Sequence, residues 1–252
     1  MQGTGKVYAF ANQKGGVGKT TTAINVAACL AEAGERTLVV DLDPQAKATS
    51  GLGMRANGTS SYDLLDGAPL AELARPTAFA NLFLVPAKPE LAGAAVELAR
   101  RDDGDRYLVE ALAAADGFDF VLVDCPPSLG PLTVNALAAS NRVVVPVQAE
   151  YYALEGLAQL VHSINLVRGR LNPALAIAGV LITMSDARTR LSAEVETEVR
   201  RHFGDLVFRT VVPRGVRVAE APSHGLPLTH YDRRSRGAEA YWKVAMELVE
   251  RN

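Results

Sequence analysis

The chain has few cysteines, almost no net charge and no long apolar run, and each shortage removes a class of protein. Two cysteines in 252 residues, Cys29 and Cys125, give neither a disulfide framework nor the spaced cluster of a zinc site. They fall on an apolar helix face and beside a strand end, so both are expected in the core; a metal cluster bridging two subunits would need exposed thiols. A formal net charge of −2 excludes a protein-wide basic field, so any nucleic-acid contact must come from a local patch. No apolar stretch is as long as a membrane span, and the N-terminus lacks the apolar core of a signal peptide. A cytoplasmic protein with no membrane contact is expected. Nearly half of the residues are hydrophobic, enough at this length for one α/β domain spanning residues 1–252. Met1 to Ala9 is too short to form an N-terminal helix-turn-helix module, so none is expected.

What the chain does have is a glycine-rich run near its start, Gln13-Lys14-Gly15-Gly16-Val17-Gly18-Lys19-Thr20-Thr21-Thr22. The ending Gly-Lys-Thr is that of a phosphate-binding loop, although Gln13 stands where the usual first glycine would be. Gly15, Gly16 and Gly18 carry no Cβ, so the backbone can adopt positive φ and turn its N–H groups toward a polyanion. The short apolar run Val7 to Ala11 precedes the loop as a buried parallel strand would, and Thr20 to Ala33 has helical spacing. The helix N-terminus adds positive potential at the phosphates. In such a loop Lys19 sits on the β- and γ-phosphates and the Thr20 hydroxyl ligates Mg²⁺. Lys14 is a surplus cation at the mouth of the loop, one that nucleotide affinity alone does not require.

Downstream, short apolar runs alternate with helical segments. Thr37 to Val40, Leu82 to Val85, Phe120 to Val123, Val143 to Val147, Ile177 to Ile182 and Val207 to Val212 are expected as strands, and Leu91 to Ala115 and Leu154 to Leu171 as helices. The alternation predicts an α/β fold: a mostly parallel twisted sheet with helices on both faces. Ligands on such a sheet bind at the carboxyl ends of the strands. Gly51 to Ser61 and Pro222 to Arg236 are expected as surface loops. Two strand ends carry carboxylates. Asp124 follows Phe120 to Val123, the context of an aspartate acting on Mg²⁺ directly or through water. In Asp41-Leu42-Asp43-Pro44-Gln45 the two carboxylates alternate in direction. Asp41 could support the Mg²⁺ shell, and Asp43 could position the attacking water or serve as a turn residue before Pro44.

Gln13 to Thr20, Asp41 to Gln45 and Asp124-Cys125-Pro126-Pro127-Ser128 together resemble the ParA/MinD class of P-loop ATPases with a deviant Walker motif. Pro146 to Gly156, Pro213 to Arg217, Glu220 to Gly225 and Ser235 to Tyr241 are similar to its chromosomal partitioning branch, ParA or Soj. The resemblance extends over nearly the whole chain. It implies a Mg²⁺-dependent ATPase in which ATP drives a sandwich homodimer and Lys14 crosses to the partner's nucleotide. A cation supplied in trans would make assembly a condition for full hydrolysis. Lys14, Lys19 and Asp43 would then be catalytic. ATP would contact Lys14, Gly15, Gly16, Val17, Gly18, Lys19, Thr20, Thr21, Pro213 and Gly215, and the metal would be held by Thr20, Asp124 and Asp41. Relatives often have Asn at the position of Gly215 and Gly-Asn at that of Ala46-Lys47.

The resemblance also implies dimer-dependent binding of nonspecific double-stranded DNA, a nucleoid-associated location, and a ParB-type centromere-binding partner that stimulates hydrolysis. Arg200 to Arg236 holds eight arginines against Asp205, Glu220 and Asp232, a local basic patch. The family likeness singles out Arg188 and Arg217. Two other readings stand beside this one. A membrane-cycling ATPase of the MinD kind would need an amphipathic C-terminal anchor, whereas Ala238 to Glu250 has the spacing of a core-packing helix. A nucleotide-dependent scaffold or an ATP-using synthetase on the same fold would need a second substrate site, which no motif marks.

Overall fold

The computed structural model describes residues 6–101, 103–113, 115–150 and 153–251, with the side chains of 153–155 left out. Tyr151 and Tyr152, and the segment 1–5, therefore lie outside the described residues.

The first half of the chain runs β1 (Lys6–Phe10), α1 (Lys19–Glu32), β2 (Thr37–Asp41), α2 (Lys47–Gly51), α3 (Ser61–Leu65), α4 (Leu70–Leu73), β3 (Arg75–Pro76), β4 (Leu82–Val85), α5 (Leu91–Leu98), α6 (Tyr107–Leu112) and β5 (Phe120–Asp124). The second half adds α7 (Pro131–Ala139), β6 (Arg142–Gln148), α8 (Ala153–Arg170), β7 (Ala176–Thr183), α9 (Arg190–Phe203), α10 (Val216–Glu220), α11 (Leu228–Tyr231) and α12 (Arg236–Glu250). Seven strands form one sheet in the order β3-β4-β2-β5-β1-β6-β7, parallel except for the two-residue edge strand β3. Every residue of β2 and β5 is buried, as β-branched runs covered on both faces should be. One apolar layer packs α1, α11 and α12 on one face, through residues such as Ile24, Leu228, Tyr241 and Leu248. The opposite layer packs α3 and α5 to α9 through Leu64, Leu91, Leu108, Leu132, Leu160 and Val195.

Strand register sets up the site. Across the central strands Phe10 pairs with Asp124, and Asp124 with Asp41, so the ends of β1, β5 and β2 are level. The chain leaves β1 toward β2 on one side and later returns to β6 on the other, which opens the crevice where ligands of such sheets bind.

Four expectations need correction. The run Val207 to Val212 is not a strand: only Val207 and Pro213 form isolated bridges, to Val180 and Ser185. Between them the backbone N–H groups of Arg209 and Thr210 donate to the two Glu247 oxygens at 2.8 and 2.9 Å, so α12 takes the bonds that a sheet ladder would need. The stretch Leu91 to Ala115 is two helices, not one. Gly104 turns the chain between them so tightly that a Cβ there would fall 1.9 Å from the Leu98 carbonyl oxygen. Asn135 of α7 fastens this turn, donating to the Gly104 carbonyl at 2.7 Å and accepting from Leu108 N at 3.2 Å.

Pro222 to Arg236 is not a plain surface loop, since Leu228 is buried and its N–H donates to Asn25 Oδ1 at 2.7 Å. Gly51 to Ser61 is likewise pinned at both ends: Gly51 closes α2 against Ile24, and buried Ser60 caps α3 reciprocally with Asp63. Both cysteines are buried as expected.

Candidate nucleotide site

Gly18 caps α1 at φ 85°, and Gly16 turns the loop at φ 76°, so these two positions use the left-handed region that glycine tolerates. Gly15 does not, and a Cβ there would meet only Pro127 at ordinary contact distance. The loop is held from outside by Thr183 at the end of β7, whose hydroxyl donates to the Val17 carbonyl at 2.8 Å. Met184 follows at φ 52°, a strained conformation for a side chain with a Cβ, and lines the cavity that the loop encloses.

That cavity, of about 670 Å³, is lined by Gly15, Gly16, Gly18, Lys19, Thr20 and Thr21 of the loop and the start of α1, and by Asp43, Gln45, Lys47 and Ser50 of the segment after β2. Val17 does not line it; its side chain is buried. Pro213 and Gly215 line a separate depression of about 710 Å³ together with Arg188, Arg214, Arg217 and Arg236. Pro222 and Ser223 complete the cavity; they belong to the Glu220 to Gly225 run that carried the family likeness but were not among the expected site residues.

Under the cavity floor lies a charged cluster. Lys19 is buried, and its ammonium donates to the Lys14 carbonyl at 3.3 Å. Burial lowers its pKa, while Asp124 and then Asp43 oppose the shift. Asp41 is fully buried and its oxygens are taken: Oδ2 accepts from Thr49 N at 2.8 Å and from the Thr49 hydroxyl at 2.7 Å, and Oδ1 from Asp43 N at 3.1 Å. Burial nonetheless pushes its pKa up to about 6, with the nearby Asp43 charge adding to the rise. Thr49, absent from the sequence expectations, thus ties α2 to the end of β2.

Asp124 is the exception in this cluster. It is wholly buried, and neither carboxylate oxygen has a hydrogen-bond partner within bonding geometry. Burial, and next the Asp41 carboxylate beside it, raise its pKa well above the usual range, against the Thr20 hydroxyl and the Lys19 charge. A buried acceptor left unmatched is costly, and a divalent cation would match it. No group of three acidic, His or Cys side chains among the described residues could form a closed metal cage. Mg²⁺ does not require one, since it keeps waters and phosphate oxygens and takes one or two protein ligands. Asp124 with Thr20 therefore fits that ion.

Asp43 reaches the cavity wall nearly buried, with Oδ1 accepting from Gln45 N at 2.9 Å as in a turn before proline. Lys14 does not line the cavity. Its ammonium pairs with Glu150 Oε2 at 3.2 Å, and Gln148 holds the other Glu150 oxygen at 2.6 Å. Its backbone N–H is fixed by Asn12 Oδ1 at 3.0 Å, while Asn12 donates to the Pro146 carbonyl at 2.7 Å.

A family model described as an AAA domain matches residues 5–177. The chromosome-partitioning ATPase Soj of Thermus thermophilus is 56% identical over 243 residues, covering 96% of this chain and 95% of the relative. The chain belongs to the Soj/ParA family of ATPases. The sporulation initiation inhibitor protein Soj of Bacillus subtilis is 52% identical over 249 residues, covering 97% of this chain and 98% of that protein. Among solved structures, a cobyrinic acid a,c-diamide synthase from Mycobacterium smegmatis with bound ADP and magnesium is 38% identical, with a TM-score of 0.85, covering 98% of this chain and 94% of that one.

Membership of this family turns attention to the arginines. Arg188 is 88% exposed, yet it makes a two-pronged pair with Asp186 at 2.9 and 2.7 Å, which holds Asp186 down to about 2. Arg217 pairs with Glu220 at 3.1 Å and lies 3.8 Å from Asp232. Arg214 and Arg236, by contrast, have no ion pair among the described residues. No described helix is long and apolar enough to cross a membrane. The apolar face of α12 is already covered, with Ala238, Tyr241, Val244, Ala245 and Leu248 buried against the α1 layer.

Proposed function

We propose that this chain is a DNA-partitioning ATPase whose nucleotide state sets its assembly state. The observation that carries the nucleotide reading is the buried, unpartnered Asp124 carboxylate beneath Thr20 and Lys19. ATP would lie in the phosphate-loop cavity with Lys19 on its β- and γ-phosphates, and Thr20 and Asp124 would hold Mg²⁺ with Asp41 behind them. When bound, the ion would neutralise charge between the terminal phosphates. Asp43 would orient the attacking water from the cavity wall. Pro213 and Gly215 would contact the base only if it reaches into the neighbouring depression.

Lys14 would serve a second copy of the chain, after leaving Glu150, and complete charge stabilisation in trans. The dimer would join two arginine patches and bind double-stranded DNA without sequence preference, and a ParB-type protein would stimulate hydrolysis and release. Support for the partitioning role comes from relatives more than half identical over nearly the full chain. The Mycobacterium structure's name suggests amide synthesis instead. Amide nitrogen taken from glutamine would call for a reactive thiol. Cys29 and Cys125 are buried, and burial pushes both thiols up.

Gel filtration and duplex DNA binding compared in the nucleotide-free, ADP and ATP states test the proposal. Expected is a dimer with salt-sensitive DNA affinity in ATP alone. A monomer in all three states, or DNA affinity indifferent to nucleotide, would refute it.

A further inference from the structure

Three charged side chains line the nucleotide cavity: Lys19, Asp43 and Lys47. Lys19 is buried, donates to the Lys14 carbonyl, and is the cation proposed above for the β- and γ-phosphates. Lys14 itself is turned away and paired with Glu150. The remaining cation that lines the cavity within a single chain is Lys47, which is exposed and whose ammonium makes no ion pair or hydrogen bond among the described residues.

The base of Lys47 is held firmly although its tip is free. It opens α2, two residues before Thr49, which is bonded twice to buried Asp41 and in turn accepts from Ala87 N at 2.9 Å. A Cβ on Gly51 would come 2.6 Å from Ile24 Cδ1, and a Cβ on Gly225 would come 2.5 Å from Gly53 Cα, so both ends of this segment are closely packed. α2 is therefore packed directly against α1, with Lys47 at its start and Asp43 just before it, both lining the cavity.

We propose that Lys47 is a specificity-determining residue: it binds the terminal phosphate of ATP within its own chain and so favours ATP over ADP before any second chain arrives. The proposal rests on the cavity being the nucleotide site. ATP carries one more phosphate than ADP, and a second, unpaired cation lining the cavity alongside Lys19 would sense that difference. One charge-assisted contact in a half-open cavity is worth a factor of about five to ten in affinity. A lysine on a long flexible stem supplies it without requiring an altered backbone.

The test is equilibrium binding of ADP and of a non-hydrolysable ATP analogue, both with Mg²⁺, to the full chain at concentrations where gel filtration shows a monomer. Lys47→Asn should weaken the ATP analogue about fivefold to tenfold and ADP less than twofold, and Lys47→Arg should restore the preference. Because Lys47 is exposed, both variants should unfold at the wild-type temperature, which is checked in parallel. Equal weakening of both nucleotides, or none, overturns the proposal while leaving the site intact. If Lys19→Ala also keeps both nucleotides in the same assay, the reading of the cavity itself fails.

Discussion

Ala46 holds φ 51° and ψ 39°, a left-handed conformation that costs an L-residue with a Cβ about 1–2 kcal/mol. The family's usual glycine at this position has no such cost, which gives the departure a physical meaning that the sequence did not. Ala46→Gly should raise stability by about 1 kcal/mol, read as a shift in the denaturant midpoint at unchanged slope. A lowered midpoint would mean that the extra freedom of glycine in the unfolded chain outweighs the relieved strain.

Asp124→Asn carries a second prediction at this scale. A carboxyl raised by burial binds its proton more tightly in the folded state, so its contribution to stability falls as pH rises from the unfolded value toward the folded one. Relative to wild type, the nucleotide-free variant should therefore gain stability with rising pH and then level off, and Mg²⁺ with ATP should no longer stabilise it. Thermal unfolding across pH, with and without Mg²⁺–ATP, reads both effects; a gain that is flat in pH would place the charge elsewhere. Lys19, Thr20 and Asp124 were legible because local order carries them: strand, glycines, helix, and a carboxylate at a strand end. Thr49 was not, since its bond to Asp41 and Ala87 spans three separate segments and leaves no periodic trace.

Among the elements, those read correctly from sequence are the buried parallel strands, whose apolar runs admit one placement, and the long helices α1, α8 and α12. The misreadings fall where a distant side chain captures a backbone. Glu247 claims the N–H groups of Arg209 and Thr210, and Asn135 claims the turn at Gly104. Of these partners only the glycine lies within the misread helix, and no local signal ties it to Asn135. Gly104→Ala must push its new methyl group into the Leu98 carbonyl, so a loss of about 1–3 kcal/mol is expected, with nucleotide affinity retained. A neutral result by chemical denaturation would mean that the turn reshapes at little cost.

The arginine patch also belongs to this scale. Because Arg188 and Arg217 already have acidic partners, the DNA phosphate of the proposed complex would have to compete with Asp186 and Glu220. Replacing both arginines with alanine should weaken DNA binding in the ATP state and lower its salt slope, with ATP affinity unchanged. Asp186→Ala, which frees Arg188, should strengthen DNA binding. Opposite signs for these two changes are what a phosphate contact requires; the same sign in both would mark the segment as structural.

For the whole molecule, the sequence revealed a parallel sheet but not which strands are neighbours, since strand order depends on how the layers pack rather than on any local run. That order matters for Lys14. It places the end of β6 beside the phosphate loop, so Glu150, far away in the chain, reaches the lysine that the dimer is proposed to need. Lys14 must leave this pair before it can serve a partner, so the pair opposes dimerisation by whatever it is worth. Its side chains are 40% and 47% exposed, which puts the contact among partly solvated ion pairs of about 0–1 kcal/mol. Glu150→Gln removes the charge and keeps the shape. It should lower the protein concentration at the midpoint of ATP-dependent dimerisation, by up to about fivefold for each lysine released. The monomer's affinity for ATP should not move, because Lys14 does not line the cavity of its own chain. Analytical ultracentrifugation with a non-hydrolysable ATP analogue separates the two quantities. A midpoint shifted to higher concentration would show that Glu150 acts across the interface, stabilising the dimer instead of holding the lysine back.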